Sequence, residues 1–234
     1  MKYKYETHLH TYPVSKCGRF DVETNLKFYK SLGYDGVFVT NHFIDGNINC
    51  DRTLPYREQI EFYCSDYEKA AKFGKQIGIK VFFGIEMSVC HGTDFLVYGL
   101  GKDWLLNNQK MMELPPKDRL DYLRQNGALV IQAHPYREAS YIEYFRLFPR
   151  NVDGVEVLNA SNTDEENQIA EYYAAHYDLT RFAGSDNHRA GGIARLGGVE
   201  LDFSLESEAQ FVQAIKQRKH QVFLIPNEKE ACSQ

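Results

Sequence analysis

His8 and His10 stand one residue apart, and Asp186 and His188 repeat that spacing towards the other end of the 234-residue chain. On an extended strand alternate side chains share a face, so both groups of such a pair can reach one point. Imidazole and carboxylate are ligands for Zn²⁺, Mn²⁺ and Fe²⁺, and the chemistry these pairs suggest is metal coordination. More groups of the same types border apolar runs. His42 follows Val37 to Thr40, Glu86 follows Val-Phe-Phe-Gly-Ile, and His134 follows Leu129 to Ala133. Asp94 precedes Phe-Leu-Val-Tyr, and His91 competes with it as a donor from a glycine-containing turn. A carboxylate at the margin of a core, as Glu86 must be, needs a partner, and an ion would serve. No Ser/His/Asp set and no C-x₅-R motif offers a side-chain nucleophile.

These groups need a scaffold that brings distant residues together. Strand-like runs are expected at Tyr3 to Thr7, Val37 to Thr40, Val81 to Ile85, Leu96 to Leu100, Leu129 to Ala133, Val155 to Leu158, Phe182 to Gly184 and Val222 to Ile225. Helical spacing falls between them. Val22, Leu26, Tyr29 and Leu32 share a face and stop at Gly33. Ser65 with Glu68, and Thr163 with Glu166, read as capping boxes. The first would open a helix through Gln76, the second a helix running towards His176. Pro116 opens a helix that holds Leu120 and Leu123, and a late helix holds Phe211, Val212 and Ile215. Alternating β and α elements predict a parallel sheet covered by helices. No dinucleotide glycine fingerprint follows the first strand, which favours an α/β barrel of about seven units over an open sheet. In such a barrel the carboxyl ends of all strands meet on one face, where the histidines and carboxylates would converge.

The composition is that of a globular protein, and neither a repeat nor a linker divides residues 1–234, so one domain with a polar tail from about residue 227 is expected. The formal charge of −5 lacks the basic excess of a long nucleic-acid binder. No apolar run approaches a membrane span, and no leader is apparent at Met1 to Thr7. Five cysteines, odd in number and without C-x-x-C spacing, point to a reducing compartment, by default the cytoplasm.

Taken in order, His8-Leu9-His10-Thr11, Thr40-Asn41-His42, Gly84-Ile85-Glu86, Ala133-His134-Pro135 and Gly184-Ser185-Asp186-Asn187-His188 resemble the motifs of the PHP (polymerase and histidinol phosphatase) family. The resemblance implies a distorted (β/α)₇ barrel and a cluster of two or three divalent ions, Zn, Mn or Fe. It implies His8, His10, Glu86 and Asp186 around one ion, and Glu86, Asp94 and His134 around a second. His42 and His188 would hold a third. Many members carry histidine at the place of Asp94. An aspartate or histidine often stands where this chain has Cys17, which could ligate as a thiolate, and the common T-D-H is here Thr40-Asn41-His42. The activity implied is hydrolysis of a phosphate ester on a small substrate, with attack by a water acidified by the ions. Glu86, His134, Asp186 and Arg137 would then be catalytic. Arg137 is the first choice for a two-pronged phosphate contact. Arg189 and Arg195 would line the mouth, and Tyr12 and Tyr136 would flank the leaving group. A histidinol-phosphatase-like monoesterase is one specific form of this reading. Its rivals are an amidohydrolase-like C–N or C–O hydrolase, although no strand here ends in the lysine such enzymes typically use, and a metal-binding module without catalysis.

Overall fold

The computed structural model describes residues 2–90 and 92–227. Its elements are β1 (Tyr3–Leu9), α1 (Val22–Ser31), β2 (Gly36–Val39), α2 (Tyr56–Ile77), β3 (Lys80–Cys90), β4 (Thr93–Tyr98), α3 (Lys102–Asn107), α4 (Pro116–Gln125), β5 (Leu129–Gln132), β6 (Gly154–Asn159), α5 (Asp164–His176), β7 (Thr180–Gly184), β8 (Arg195–Leu201), α6 (Glu208–Lys216) and β9 (Gln221–Pro226). His91 and the polar tail beyond Asn227 lie outside the described residues. Among the described residues no helix is long and apolar enough to cross a membrane.

The strands form one sheet in the order β7-β6-β5-β4-β3-β2-β1-β8-β9. The sheet curls until β7 meets β1. His10 N–H donates to the Asn187 carbonyl at 3.0 Å, and Asn187 N–H donates to the His8 carbonyl at 3.2 Å. The result is the expected α/β barrel, distorted and nearly closed, but with nine strands rather than about seven. Nor are they all parallel. β4 runs antiparallel to both β3 and β5, and β8 runs antiparallel to β1 and β9. Residues 91 and 92 alone separate β3 from β4, too few for a crossover and enough for a hairpin. Glu86 therefore sits within an eleven-residue strand and not at its end. Because β4 is reversed, the residues that begin it lie at the rim where the parallel strands finish. Asp94 pairs with Ser88 there.

β8 was not expected from the sequence. Its segment, Arg-Leu-Gly-Gly-Val-Glu-Leu, has two glycines where a strand normally carries β-branched side chains. Both are required by close approach. A Cβ on Gly197 would lie 2.5 Å from the Gly184 carbonyl oxygen, and one on Gly198, where φ is 152°, would lie 2.2 Å from the Tyr5 carbonyl oxygen.

α1, α4, α5 and α6 fall where their sequence signals lie, whereas α3 was not anticipated. Asp21 caps α1 by accepting from Thr24 N–H, and Thr163 and Glu166 form the full capping box of α5. α2 instead begins at Tyr56, and Ser65 is interior. Ile60, Tyr63, Cys64, Ala70 and Gly74 make one buried stripe, and burying it starts the helix before the Ser65 signal. The floor of the barrel is aromatic. Phe211 of α6 lies with its ring centroid 4.2 Å from Phe38 and 5.2 Å from Tyr98. This plug leaves the opposite rim as the open face.

Candidate metal centre

The rim holds the groups expected from the sequence. His8 lies near the end of β1 and His10 just past it, both fully buried. His42 follows β2 and bridges to Glu86. His134 and Asp186 follow β5 and β7 at φ values of 25° and 51°. A non-glycine residue in that region turns the chain sharply, and here both turns aim a side chain across the barrel.

Three clusters of donors result: His8 with His10 and Glu86, Glu86 with Asp94 and His134, and His10 with Cys17 and His188. A fourth grouping joins His8, His134 and Asp186. His8 Nε2 lies 3.1 Å from Glu86 Oε1, 3.5 Å from Asp186 Oδ1 and 3.2 Å from His10 Nε2. His10 Nε2 lies 3.2 Å from Asp186 Oδ1 and 3.3 Å from Glu86 Oε2. Bonds of about 2.1 Å to a shared ion place neighbouring donors roughly 3.0–3.4 Å apart, so the spacing fits a coordination sphere. The chemistry of the set agrees. Glu86 faces four imidazoles, those of His8, His10, His42 and His134. Its Oε2 makes no hydrogen bond, although His42 Nδ1 is only 2.6 Å away. Imidazole lone pairs and carboxylate oxygens share such a space only with protons or a cation between them. The residues present therefore fit divalent ions.

Neighbouring groups fix which nitrogens are free. Ser15 Oγ–H donates to Asn41 Oδ1 at 2.8 Å, leaving Oγ to accept from His42 N–H and from His10 Nδ1 at 3.2 Å. The His10 proton is thereby held on Nδ1 and its Nε2 faces the cluster. Glu156 plays the same part for His8, taking Nδ1 at 3.1 Å through Oε1, while its Oε2 accepts from His134 N–H and Asn159 Nδ2. Neither Glu156 nor Ser15 was singled out from the sequence. Glu156 carried a signal, a carboxylate inside the apolar strand Gly-Val-Glu-Val-Leu-Asn. Ser15 carried none.

The electrostatics follow from burial and crowding. Burial would raise the Asp186 carboxyl, but Arg137, His8 and His188 hold it well below the usual range. Glu86 is likewise driven down against burial by His42, His10 and His8. Burial takes His10 down to about 3. His8 and His42 are raised against burial by the neighbouring carboxylates, and Asp186 lifts His188 to about 9. Burial of the Cys17 thiol is outweighed by contacts to His188 and His42, which bring it to about 7. Asp94 is raised by burial and by Glu86, and its carboxylate takes the Ser88 hydroxyl.

Above the cluster opens a cavity of about 890 Å³, lined by Glu86, Asp94, His134, Asp186, His188 and Cys17 together with Arg19, Arg52, Arg137 and Arg189. Arg137 is held tightly: Nη2 lies 2.6 Å from Asp186 Oδ2 and donates to Asn159, and Nε donates to Asn162. That leaves Nη1 for a ligand, not the two-pronged contact expected. Arg195 does not line the cavity. It pairs with Asp164, at the start of α5, and donates to the carbonyls of Ala160 and Asn162. Tyr12 is exposed, and Tyr136 packs against Phe145 and Tyr173; neither lines the cavity. Tyr141, Arg19 and Arg52 do, and were not anticipated.

Residues 164–220 match the family described as PHP-associated. A stretch of 93 residues, 40% of this chain, is 31% identical to an uncharacterised protein of Methanocaldococcus jannaschii and spans half of that protein's length. Two solved structures are similar in fold. One is a two-domain protein of Bacteroides vulgatus containing a predicted PHP-like metal-dependent phosphoesterase, with a TM-score of 0.66, 14% identity, and 95% of this chain and 65% of that one covered. The other is an amidohydrolase of Chromobacterium violaceum with bound sulfate and no metal, with a TM-score of 0.58, 13% identity, and 93% and 97% covered. This chain thus has the PHP-like barrel and carries a PHP-associated segment at residues 164–220, as the motif resemblance implied.

Proposed function

We propose that the protein is a metal-dependent phosphoesterase acting on a small phosphorylated substrate. The observation that carries this reading is the convergence of the His8, His10, Glu86, Asp186, Asp94 and His134 donors beneath a cavity whose wall bears four arginines. His8, His10, Glu86 and Asp186 would hold one ion, Glu86, Asp94 and His134 a second, and His42 with His188 a third. When bound, divalent ions supply Lewis acidity to a phosphoryl oxygen and acidify water. The chain's own groups do the rest. Arg137 Nη1 offers a charged donor beside the cluster, and its Nη2 keeps Asp186 in place. Arg19, Arg52 and Arg189 make the cavity attractive to an anion despite the acidic chain. Glu156 and Ser15 hold His8 and His10 in the tautomers that present Nε2. The sulfate carried by the structurally similar amidohydrolase is in keeping with a phosphate-sized anion on this fold.

The likeness to that amidohydrolase also favours a second reading, hydrolysis of a C–N or C–O bond. Against it, no lysine lines the cavity among the described residues. The test is to quantify bound metal and to assay p-nitrophenyl phosphate, its diesters and an amide panel, beside a His134→Ala variant. Metal-dependent turnover of a phosphate ester that collapses in the variant is the expected result. Turnover of amides alone would select the second reading. Failure to bind Mn²⁺, Zn²⁺ or Fe²⁺ would remove both.

A further inference from the structure

We infer that Cys17 supplies a thiolate to the outermost ion position, beside His42 and His188, and makes it a site for a soft or borderline divalent cation such as Zn²⁺ or Fe²⁺. The inference rests on the metal centre proposed above and concerns which ion that centre takes. It begins with the loop between β1 and α1. Ser15 bridges to Ile48, Lys16 N–H donates to the Asn47 carbonyl, and Arg19 N–H donates to the His188 carbonyl at 2.8 Å. Cys17 is therefore pinned from both sides, between the segment after His42 and the segment holding His188. Gly18 lets the loop close. A Cβ there would lie 2.7 Å from the Thr11 carbonyl carbon, so no other residue fits without moving the turn.

The donors around the thiol are already assembled. A donor nitrogen of His10, one of His188 and the Cys17 sulfur all lie within 4.8 Å of one another. The His10 ring stacks between His188 and His42, with both centroid distances 4.4 Å. The thiol and both outer imidazoles line the same cavity. Each outer imidazole meets a carboxylate that the inner positions share, His42 Nδ1 at 2.6 Å from Glu86 Oε2 and His188 Nε2 at 2.9 Å from Asp186 Oδ1, so no carboxylate belongs to this position alone. Asn41 is committed elsewhere: Oδ1 accepts from Thr11 N–H and Ser15 Oγ–H, and Nδ2 donates to Thr11 Oγ. The anionic ligand that belongs to the outer site alone is the sulfur of Cys17. Thiolate selects Zn²⁺ or Fe²⁺ over Mg²⁺ and Mn²⁺, which favour oxygen ligands. On loading, the S–H bond breaks, an S–metal bond forms, and the proton passes to the buffer.

The experiment titrates chelator-treated protein with Co²⁺ and follows the near-ultraviolet thiolate-to-cobalt absorption, with metal content counted separately. The wild type is expected to develop that band. Cys90→Ser, which alters the other described thiol of the cavity, should keep it. Cys17→Ser should lose it together with about one bound ion per chain. Cys17→Asp should regain the ion without the band and shift preference towards Mn²⁺. Saturating Zn²⁺ should also protect Cys17 from iodoacetamide, a readout that needs no variant. A full complement of ions with no band and with Cys17 alkylated at the unprotected rate would overturn the inference and leave the inner centre standing. No bound ion at all would overturn the metal centre itself.

Discussion

Replacing Glu156 by glutamine alters no shape and tests how the centre is tuned. The wild-type carboxylate accepts hydrogen bonds from His8 Nδ1, His134 N–H and Asn159 Nδ2 at 3.1, 3.1 and 2.8 Å, and it is fully buried. An amide has only one accepting atom. If its NH₂ takes the place of Oε2, it confronts two donors. Asn159 cannot turn over to relieve this, because its Oδ1 already accepts from Arg137 and Ser161. If its NH₂ takes the place of Oε1, His8 must accept through Nδ1 and carry its proton on Nε2, the atom that faces Glu86 and Asp186. Either orientation harms one ligand. Loss of such an outer partner weakens metal binding about 10- to 100-fold, or roughly 1.4–2.7 kcal/mol. Competition against a chromophoric chelator measures this, and circular dichroism checks that the variant is folded. A folded Glu156→Gln protein with wild-type affinity would refute the argument that Glu156 sets the His8 tautomer.

Ion loading at pH 7 should release protons, because His8, His42 and His188 are raised by neighbouring carboxylates and must become neutral to coordinate. Calorimetry in two buffers of different ionisation enthalpy reads the release, and a heat independent of buffer would contradict it. Asp45 is lifted by burial to about 6 despite its 2.8 Å pair with Arg119. The fold thus binds its proton more tightly than the unfolded chain, and stability from this group is lost as pH rises from about 4 to 6. Urea midpoints should show Asp45→Asn gaining on the wild type across that window, and a constant difference would remove Asp45 as the cause. Gly198→Ala should destabilise by roughly 2 kcal/mol or more, since its Cβ would meet the Tyr5 carbonyl at a strained φ. An unchanged unfolding midpoint would mean that β8 does not need glycine to close on β1.

The candidate donor positions were legible because strand periodicity and apolar runs mark where a polar side chain must emerge at a barrel rim. The resemblance implied three ligand sets, whereas the geometry gives four donor groups, of which Glu86 with Asp94 and His134 coincides with an implied set. Other features were not read. The direction of β4 was hidden in the length of the connection before it, and the hairpin carries Asp94 to the rim from a strand's beginning. β8 was masked by the glycines that its packing demands. The fate of each arginine was also unreadable. Arg195 and Arg137 are both near the motifs in sequence, yet the first is drawn to Asp164 at a helix start and the second to Asp186 in the cluster. Sequence proximity ranks cations poorly, because a guanidinium goes to whichever buried or helix-terminal anion its stem can reach.

The distribution of charge explains why the inner and outer parts of the site should behave differently. Asp186 has a permanent cation in Arg137, whose Nη2 lies 2.6 Å from its Oδ2. Glu86 has only imidazoles, and its share of the site is balanced by protons on those rings or by ions between them. Protons and metals therefore compete for the same carboxylate, with His10 held neutral by burial and Ser15, and His8 and His42 carrying the exchangeable charge. In a site arranged in this way protonated histidines around Glu86 can stand in for an ion, so that Glu86 is not left as a bare buried anion. The outer position is more exposed, with the His188 side chain 26% accessible, and it shares its carboxylates with the inner positions. A sulfur ligand at that place adds a negative charge of its own, which ties the identity of a single loop residue to the ion proposed for that position.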